Sequence, residues 1–327
     1  MKALVCRSFG PPPVLEIEEV DRPALGAGEV RIAVHACGVN FPDALIVEGR
    51  YQFRPDPPFV PGGEVAGFVL EVGAGVAHVR PGDRVLALVT HGGFAEELVT
   101  DAARVLAVPD GMDLTTAAGF LFTYGTSYHA LVQRAALAAG DTLLVLGAAG
   151  GVGLAAVEIG HALGAHVIAV ASTPEKRQLA QGHGASVALD YEPAPLKSRL
   201  MPLTSGQGVD VVFDPVGGDV AEQALRSIAW EGRYLVVGFA SGDIPAIPLN
   251  LPLLKGCSIV GVFWGESLRR EPELHQQNFR TLFELYVAGK LSPAITEMPG
   301  LDRAPEAIAA LRDRRAIGKL VVRIASG

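Results

Sequence analysis

Cysteine is scarce in this chain. Only Cys6, Cys37 and Cys257 occur in 327 residues. They are far apart and form no C-x-x-C pair, which excludes a disulfide framework or a four-cysteine zinc site within the sequence. Basic residues are outnumbered as well: 27 Lys and Arg against 35 Asp and Glu give a net charge of −8. With no run of Lys and Arg, a phosphate-coating nucleic-acid binder is not expected. Long apolar runs are missing. The longest uncharged stretch, Leu114–Gln133, is interrupted by Thr, Tyr, Gly, Ser and His and makes a poor membrane span. The opening MKALVCRSFG has one Lys and a four-residue apolar stretch, too short for a signal peptide. A reduced, cytosolic setting with no membrane partner is the expectation.

What is present points to a large core. Apolar residues make up 49% and charged residues 19%, and the length allows two domains. Residues 1 to about 120 read as β: KALVCR, VLEIEEV, EVRIAVHACGV, VAGFVLEVG, DRVLALV and FAEELVT are short and separated by turn chemistry such as PPP, PGG and RPGD. DALIVEG fits one or two helical turns. TTAAGFLFTYGTSYHALVQRAAL then has helical apolar spacing, with Gly119 and Gly125 as weak points. After it, apolar strands (TLLVLG, HVIAVAS, SVALDY, VDVVFDPVG, GRYLVVGFA, CSIVGVFW) alternate with helical segments, the pattern of βαβ units and a parallel sheet covered on both faces. Two further helices, around LHQQNFRTLFELYVAG and APEAIAALRDR, precede a last strand KLVVRI.

The most informative stretch is LLVLGAAGGVGLAAVEIGHALG, residues 143–164. An apolar strand runs into Gly147, Gly150, Gly151, Val152 and Gly153 and then into a helix. Small residues permit a sharp turn and close approach to a pyrophosphate, and the helix N-terminus adds unpaired N–H groups. The spacing is G-x-x-G-x-x-G, so the strand before and the helix after carry the dinucleotide reading. The second strand, HVIAVAS, ends without the Asp or Glu that holds the ribose hydroxyls in NAD sites. Ser172, Lys176 and Arg177 follow instead, groups suited to a ribose 2′-phosphate, and NADPH is therefore expected over NADH. A plainer role is compatible with this: Ser172 or Thr173 caps the next helix, with Glu175 completing a capping box. Tyr191, just after the third strand, lies against the adenine or its phosphate, or is a surface tyrosine.

At this point the chain resembles a medium-chain dehydrogenase/reductase, and within that superfamily the zinc-independent quinone oxidoreductases of the zeta-crystallin type. The matching segments are GVNFPDALIVEGRY (38–51), PFVPGGEVAGFVLEVGAGV (58–76), RPGDRVLAL (80–88), the Gly-rich turn, VDVVFDPVGG (209–218) and IGKLVV (317–322). The resemblance implies an α/β protein: a Rossmann doubly wound parallel sheet, residues 124–262, inserted in a GroES-like β-barrel domain formed by 1–123 and 263–327. Substrate and nicotinamide would meet between the two. It also implies a homodimer through the last Rossmann strand, near CSIVGVFW.

Zinc-dependent relatives take metal ligands from a G-[IV]-C turn and a G-H-E motif. Here these read Gly38-Val39-Asn40 and Gly62-Gly63-Glu64, so no metal site is expected. Cys37 is read as core, and His35, His78, His91 and His129 as structural or surface residues. Without a Lewis acid, the acceptor must itself take hydride readily, as quinones, enones and acrylic thioesters do. By resemblance, Asn40 and Tyr51 fall on the substrate side and would donate hydrogen bonds to a carbonyl oxygen. Thr126 would lie beside the nicotinamide, and Gly217, Gly238 and Lys319 match cofactor-side positions, with Lys319 paired to a phosphate or simply solvated. Phe41, Phe239, Phe263 and Trp264 would line an apolar acceptor pocket or belong to the core. Arg50 and Arg54 are candidates for holding a CoA ester. The expected activity is NADPH-dependent reduction of a small-molecule quinone or α,β-unsaturated carbonyl. The alternatives are an acrylyl-CoA reductase and an NADPH-binding protein with little turnover.

Overall fold

Turn residues cut the first hundred positions into β-branched pieces, and in the computed structural model, which describes residues 1–192 and 194–324, nearly every piece is a strand. The chain divides into two units. One comprises Met1–Phe122 and the stretch from Pro293 onward; the other is Thr123–Ser292. Residues 263–292 group with the second unit.

The first stretch contributes β1 (Lys2–Ser8), β2 (Val14–Glu19), β3 (Glu29–Gly38), helix α1 (Phe41–Val47), β4 (Glu64–Val72), β5 (Arg84–Leu88), β6 (Glu97–Asp101), β7 (Val105–Ala107) and the short helix α2 (Leu114–Ala117). The helical pattern expected over 115–137 is interrupted. After α2 the backbone turns at Gly119, and α3 (Leu121–Tyr128) leads into a π-helical stretch, His129–Arg134. The second unit continues with β8 (Thr142–Leu146), α4 (Gly151–Ala162), β9 (His166–Val170), α5 (Pro174–Gly182), β10 (Val187–Leu189), α6 (Leu196–Leu203), β11 (Val209–Asp214), α7 (Asp219–Arg226), β12 (Ile228–Val236), α8 (Asn250–Lys255), β13 (Ser258–Gly261), α9 (Trp264–Arg270) and α10 (Pro272–Val287). The chain then returns to the first unit with β14 (Ile295–Pro299), α11 (Ala304–Arg312) and β15 (Lys319–Arg323).

The second unit holds six parallel strands in the order β10-β9-β8-β11-β12-β13. Renumbered within the unit this is 3-2-1-4-5-6, the Rossmann doubly wound arrangement. Its central strands are apolar at almost every position because both faces are covered; Leu143 through Leu146 are fully buried. The last strand is shorter than CSIVGVFW suggests. It ends at Gly261, and Trp264 opens α9, where its ring is buried edge-on to His275 and Phe279.

In the first unit, strands run β14-β15-β3-β4-β5-β7, with β6 also paired to β3; all pairs are antiparallel except β14 with β15. Alternating side chains from these strands, among them Ile32, Val34, Val65, Val85, Leu320 and Val322, form the core with Phe94 and the buried face of α1. The C-terminal strand is therefore integral to a sheet begun by the first hundred residues. Among the described residues, no helix is long and apolar enough to cross a membrane.

Candidate active site

The glycine turn is built as its sequence suggests. β8 leads into Gly147 at φ +60, and the Gly150 N–H closes the turn on the Gly147 carbonyl at 3.0 Å. Gly150 is the N-cap of α4 and offers no side chain to the first helical N–H groups, which leaves that helix end open to an anion. A Cβ on Gly153 would stand 2.2 Å from the Gly147 oxygen, so only glycine lets α4 pack this close to the turn. Ser127, one residue after the buried Thr126, donates from its hydroxyl to the Val152 carbonyl at 2.7 Å, tying α3 to the first turn of α4. That link, 25 residues apart in sequence, has no motif to reveal it.

The Tyr191 side chain is half-buried, and its hydroxyl accepts the Gly147 N–H at 2.9 Å. It braces the glycine turn from beneath. Burial pushes its pKa up to about 12, so the phenol stays neutral. On the far side, the buried Asp214 carboxylate at the end of β11 accepts the N–H groups of Val216 (2.7 Å) and Gly217 (2.9 Å) and the Tyr234 hydroxyl. Gly217 has φ +68, and a Cβ there would meet the Phe239 ring at 2.9 Å. Gly238 donates to the Asp214 carbonyl at 3.3 Å. Thus Gly147, Tyr191, Gly217, Gly238 and Phe239 are assembled at the carboxyl ends of the parallel strands, where open α/β sheets bind ligands. Glycines with no room for side chains and an uncapped helix N-terminus fit a dinucleotide pyrophosphate.

At the end of β9, Ala171 is followed by the exposed Ser172. The cap of α5 is Thr173, whose hydroxyl accepts the Lys176 N–H at 3.3 Å. That shifts the helix start by one residue from Ser172, so Glu175 stands one place too early to serve as the third helical residue of a capping box. Lys176 is half-buried. Arg177 is engaged: its Nη1 donates to the Ala171 carbonyl (3.1 Å) and to Asp190 (2.7 Å). Phe263 is largely exposed before α9, whereas Trp264 is core; a Cβ on Gly125 would meet its ring at 2.3 Å.

In the first unit, Asn40, Glu64 and Lys319 form one buried cluster. The Lys319 ammonium donates to the Asn40 Oδ1 at 2.5 Å and to Glu64 at 2.8 Å. The Asn40 amide in turn donates to the same Glu64 oxygen at 3.1 Å and to the Gly38 carbonyl at 3.4 Å. The second Glu64 oxygen accepts the Phe122 N–H at 2.8 Å. Two glycines make a slot for the lysine stem: a Cβ on Gly38 would stand 3.1 Å from Lys319 Cε, and one on Gly119 2.8 Å from its Cγ. Both ends of the Asn40 amide are therefore in use. Asp43 accepts the Asn40 backbone N–H at 2.8 Å, and burial raises its pKa to about 6 against the pull of that bond and of Lys319. The Tyr51 phenol differs. It packs against the core, burial and the Asp43 charge raise its pKa, and it forms no hydrogen bond among the described residues. Phe41 is half-buried at the start of α1. Cys37 is fully buried beside Gly62 and Gly93. Among the described residues no three His, Cys, Asp or Glu side chains are grouped to hold a metal ion.

Fold and site together define a two-unit dehydrogenase. The alcohol dehydrogenase GroES-like domain family matches residues 26–110, and the zinc-binding dehydrogenase family matches 151–286. The chain is 41% identical over 324 residues to the quinone oxidoreductase-like protein 2 homolog of Nematostella vectensis, covering 98% of this chain and 88% of that protein. Among solved structures it is similar to the Escherichia coli quinone oxidoreductase complexed with NADPH, at 28% identity and a TM-score of 0.90 over 99% of this chain and 100% of that one. It is also similar to the CurK enoyl reductase, at 27% identity and a TM-score of 0.88 over 99% of each chain. The chain belongs to the quinone oxidoreductases of the medium-chain dehydrogenase/reductase superfamily and is an oxidoreductase.

Proposed function

We propose that this enzyme uses NADPH to reduce a quinone or an α,β-unsaturated carbonyl, without a metal ion. The observation that carries the reading is the end of β9, where a coenzyme's ribose would lie. No Asp or Glu stands at the strand end, Ala171-Ser172, and a hydroxyl at Ser172 and a cation at Lys176 follow instead. When bound, the coenzyme supplies hydride. The glycine turn, with Gly147, Gly150, Gly151, Val152 and Gly153, holds its pyrophosphate, and Tyr191 keeps Gly147 in place. Gly217, Gly238 and Phe239 shape the neighbouring strand ends, and Thr126 is carried on α3, which Ser127 fastens to α4.

On the acceptor side, Tyr51 has the uncommitted donor. Its neutral phenol would hydrogen-bond the oxygen on which negative charge develops as hydride adds to the conjugated system. Asn40 acts as a positioning residue, since Lys319 and Glu64 already occupy its amide. Lys319 works inside its own unit, neutralising Glu64. An enoyl thioester as acceptor is a second reading, favoured by the likeness to an enoyl reductase. Against a CoA ester, Arg50 pairs with Glu48 at 3.3 Å and Arg54 lies over the Phe9 ring at 4.9 Å. We place a homodimer contact on β13, the edge of the parallel sheet, where Ile259 and the neighbouring Trp230, Leu253 and Leu254 are exposed.

Steady-state turnover with NADPH against quinones, enones and enoyl thioesters tests the proposal. Turnover with at least one class is expected. Tight NADPH binding with no turnover on any of them would make the chain a coenzyme-binding protein instead.

A further inference from the structure

Two opposite charges, Arg177 and Asp190, meet beside Ala171 in the second unit, and only some of their charge is available to a ligand. Strands β9 and β10 run parallel with Leu189 opposite Val170, and the Ala171 N–H donates to the Leu189 carbonyl at 3.0 Å. Continuing that register places Asp190 alongside Ala171. Helix α5 starts three residues after Ala171, at Pro174, and its Arg177 N–H bonds back to the Thr173 carbonyl at 3.0 Å. One turn into the helix, the Arg177 side chain returns to the strand ends and sets Nη1 between the Ala171 carbonyl and the Asp190 carboxylate. The other Asp190 oxygen accepts the Tyr191 N–H at 2.7 Å. Arg199 meets this corner only through the carbonyls of Asp190 and Glu192.

We infer that Asp190 limits the NADPH preference of this chain by neutralising Arg177, so that a second cation stands near the 2′-phosphate position but is held in check. The inference rests on the NADPH reading above. The guanidinium is one hydrogen bond from the last residue before Ser172, and its side chain is only about one-fifth exposed (22%). Its Nε and Nη2 donors form no hydrogen bonds among the described residues. A dianionic phosphate arriving there would gain those donors but would also meet the Asp190 charge. The pair thus presents a face close to neutral, and NADPH selection falls to Ser172 and Lys176.

Asp190→Asn removes the charge and keeps an oxygen for the Tyr191 N–H. Equilibrium titration of NADPH and NADH, read by coenzyme fluorescence, gives both dissociation constants without turnover. The ratio of NADH to NADPH dissociation constants should rise roughly tenfold in Asp190→Asn, through tighter NADPH, as one charge-assisted contact is released. Asp190→Ser should act in the same direction and serves if the Asn variant folds poorly. Adding Arg177→Gln to Asp190→Asn should return the ratio to near the wild-type value. An unchanged ratio in both Asp190 variants, with NADPH preferred by the wild type, overturns this inference and leaves the NADPH reading standing. So does a gain that survives Arg177→Gln. Selective loss of NADH in Asp190→Asn would make the carboxylate a ribose ligand and also overturn it. A wild type that binds NADH as tightly as NADPH overturns the NADPH reading and this inference together.

Discussion

Replacing Lys319 with Met tests how the buried cluster holds together. Methionine fills the slot between Gly38 and Gly119 with a stem of similar volume, so the change is chiefly one of charge. It strands Glu64, which is fully buried, with the Phe122 N–H and the Asn40 amide as its remaining donors among the described residues. Removing one partner of a buried ion pair costs about 3 to 5 kcal/mol. An independent bound agrees: protonating an ordinary glutamic acid at pH 7 costs roughly 3.7 kcal/mol, so the stranded carboxylate has no much cheaper escape. At roughly 2 to 4 °C per kcal/mol for a unit of this size, the melting transition of the first unit should fall by about 6 to 20 °C. Differential scanning calorimetry would read it. The decisive variant is Lys319→Met with Glu64→Gln, which removes the stranded charge while still accepting the Phe122 N–H. It should recover at least half of the loss. If the double variant is no more stable than Lys319→Met alone, the penalty comes from packing and the electrostatic account is wrong.

Tyr51→Phe should lower turnover by roughly 100- to 1,000-fold, the loss of one oxyanion donor, with NADPH affinity unchanged; an unchanged rate would leave Tyr51 a packing ring. Asp43 is held protonated up to about pH 6, above its unfolded value of 3.8, so its contribution is present at acid pH and lost as pH rises through 6. Asp43→Asn should therefore stabilise the protein above pH 6, by up to about 3 kcal/mol, and make little difference near pH 3.5; denaturant unfolding at the two pH values checks this. Prolonged dialysis against a chelator should leave turnover intact, and a loss restored by added zinc would refute metal-free reduction.

Local chemistry was legible in the sequence, and long-range pairing was not. The glycine turn reads directly because strand, turn and helix are contiguous, and the steric need at Gly153 arises within seven residues. The absent acid after β9 is equally a matter of one position. By contrast, Lys319 meets Glu64 across 255 residues and Asn40 across 279. A lysine before the last strand carries no mark of its partner, and a cofactor phosphate and solvent both fit it from the sequence alone. The sequence around Tyr191 does not choose between a ligand contact and the surface, because its hydrogen bond to Gly147 spans 44 residues. The cap of α5 is a case on a smaller scale: Ser172 and Thr173 are both good caps, backbone geometry chooses Thr173, and that choice takes Glu175 out of the capping-box position. Trp264 looked like a strand-end aromatic because nothing in CSIVGVFW shows that β13 stops at Gly261.

The position of β15 has a consequence for biosynthesis. A ribosome makes Glu64 long before it makes Lys319, and the intervening Rossmann sheet is complete in itself by β13. The inserted segment can therefore mature while the flanking sheet still waits for its closing strand and counter-ion. Premature termination shortly before Ile317 would release a product with a sound nucleotide fold and a flanking sheet that lacks β15, and quality control would meet that sheet first.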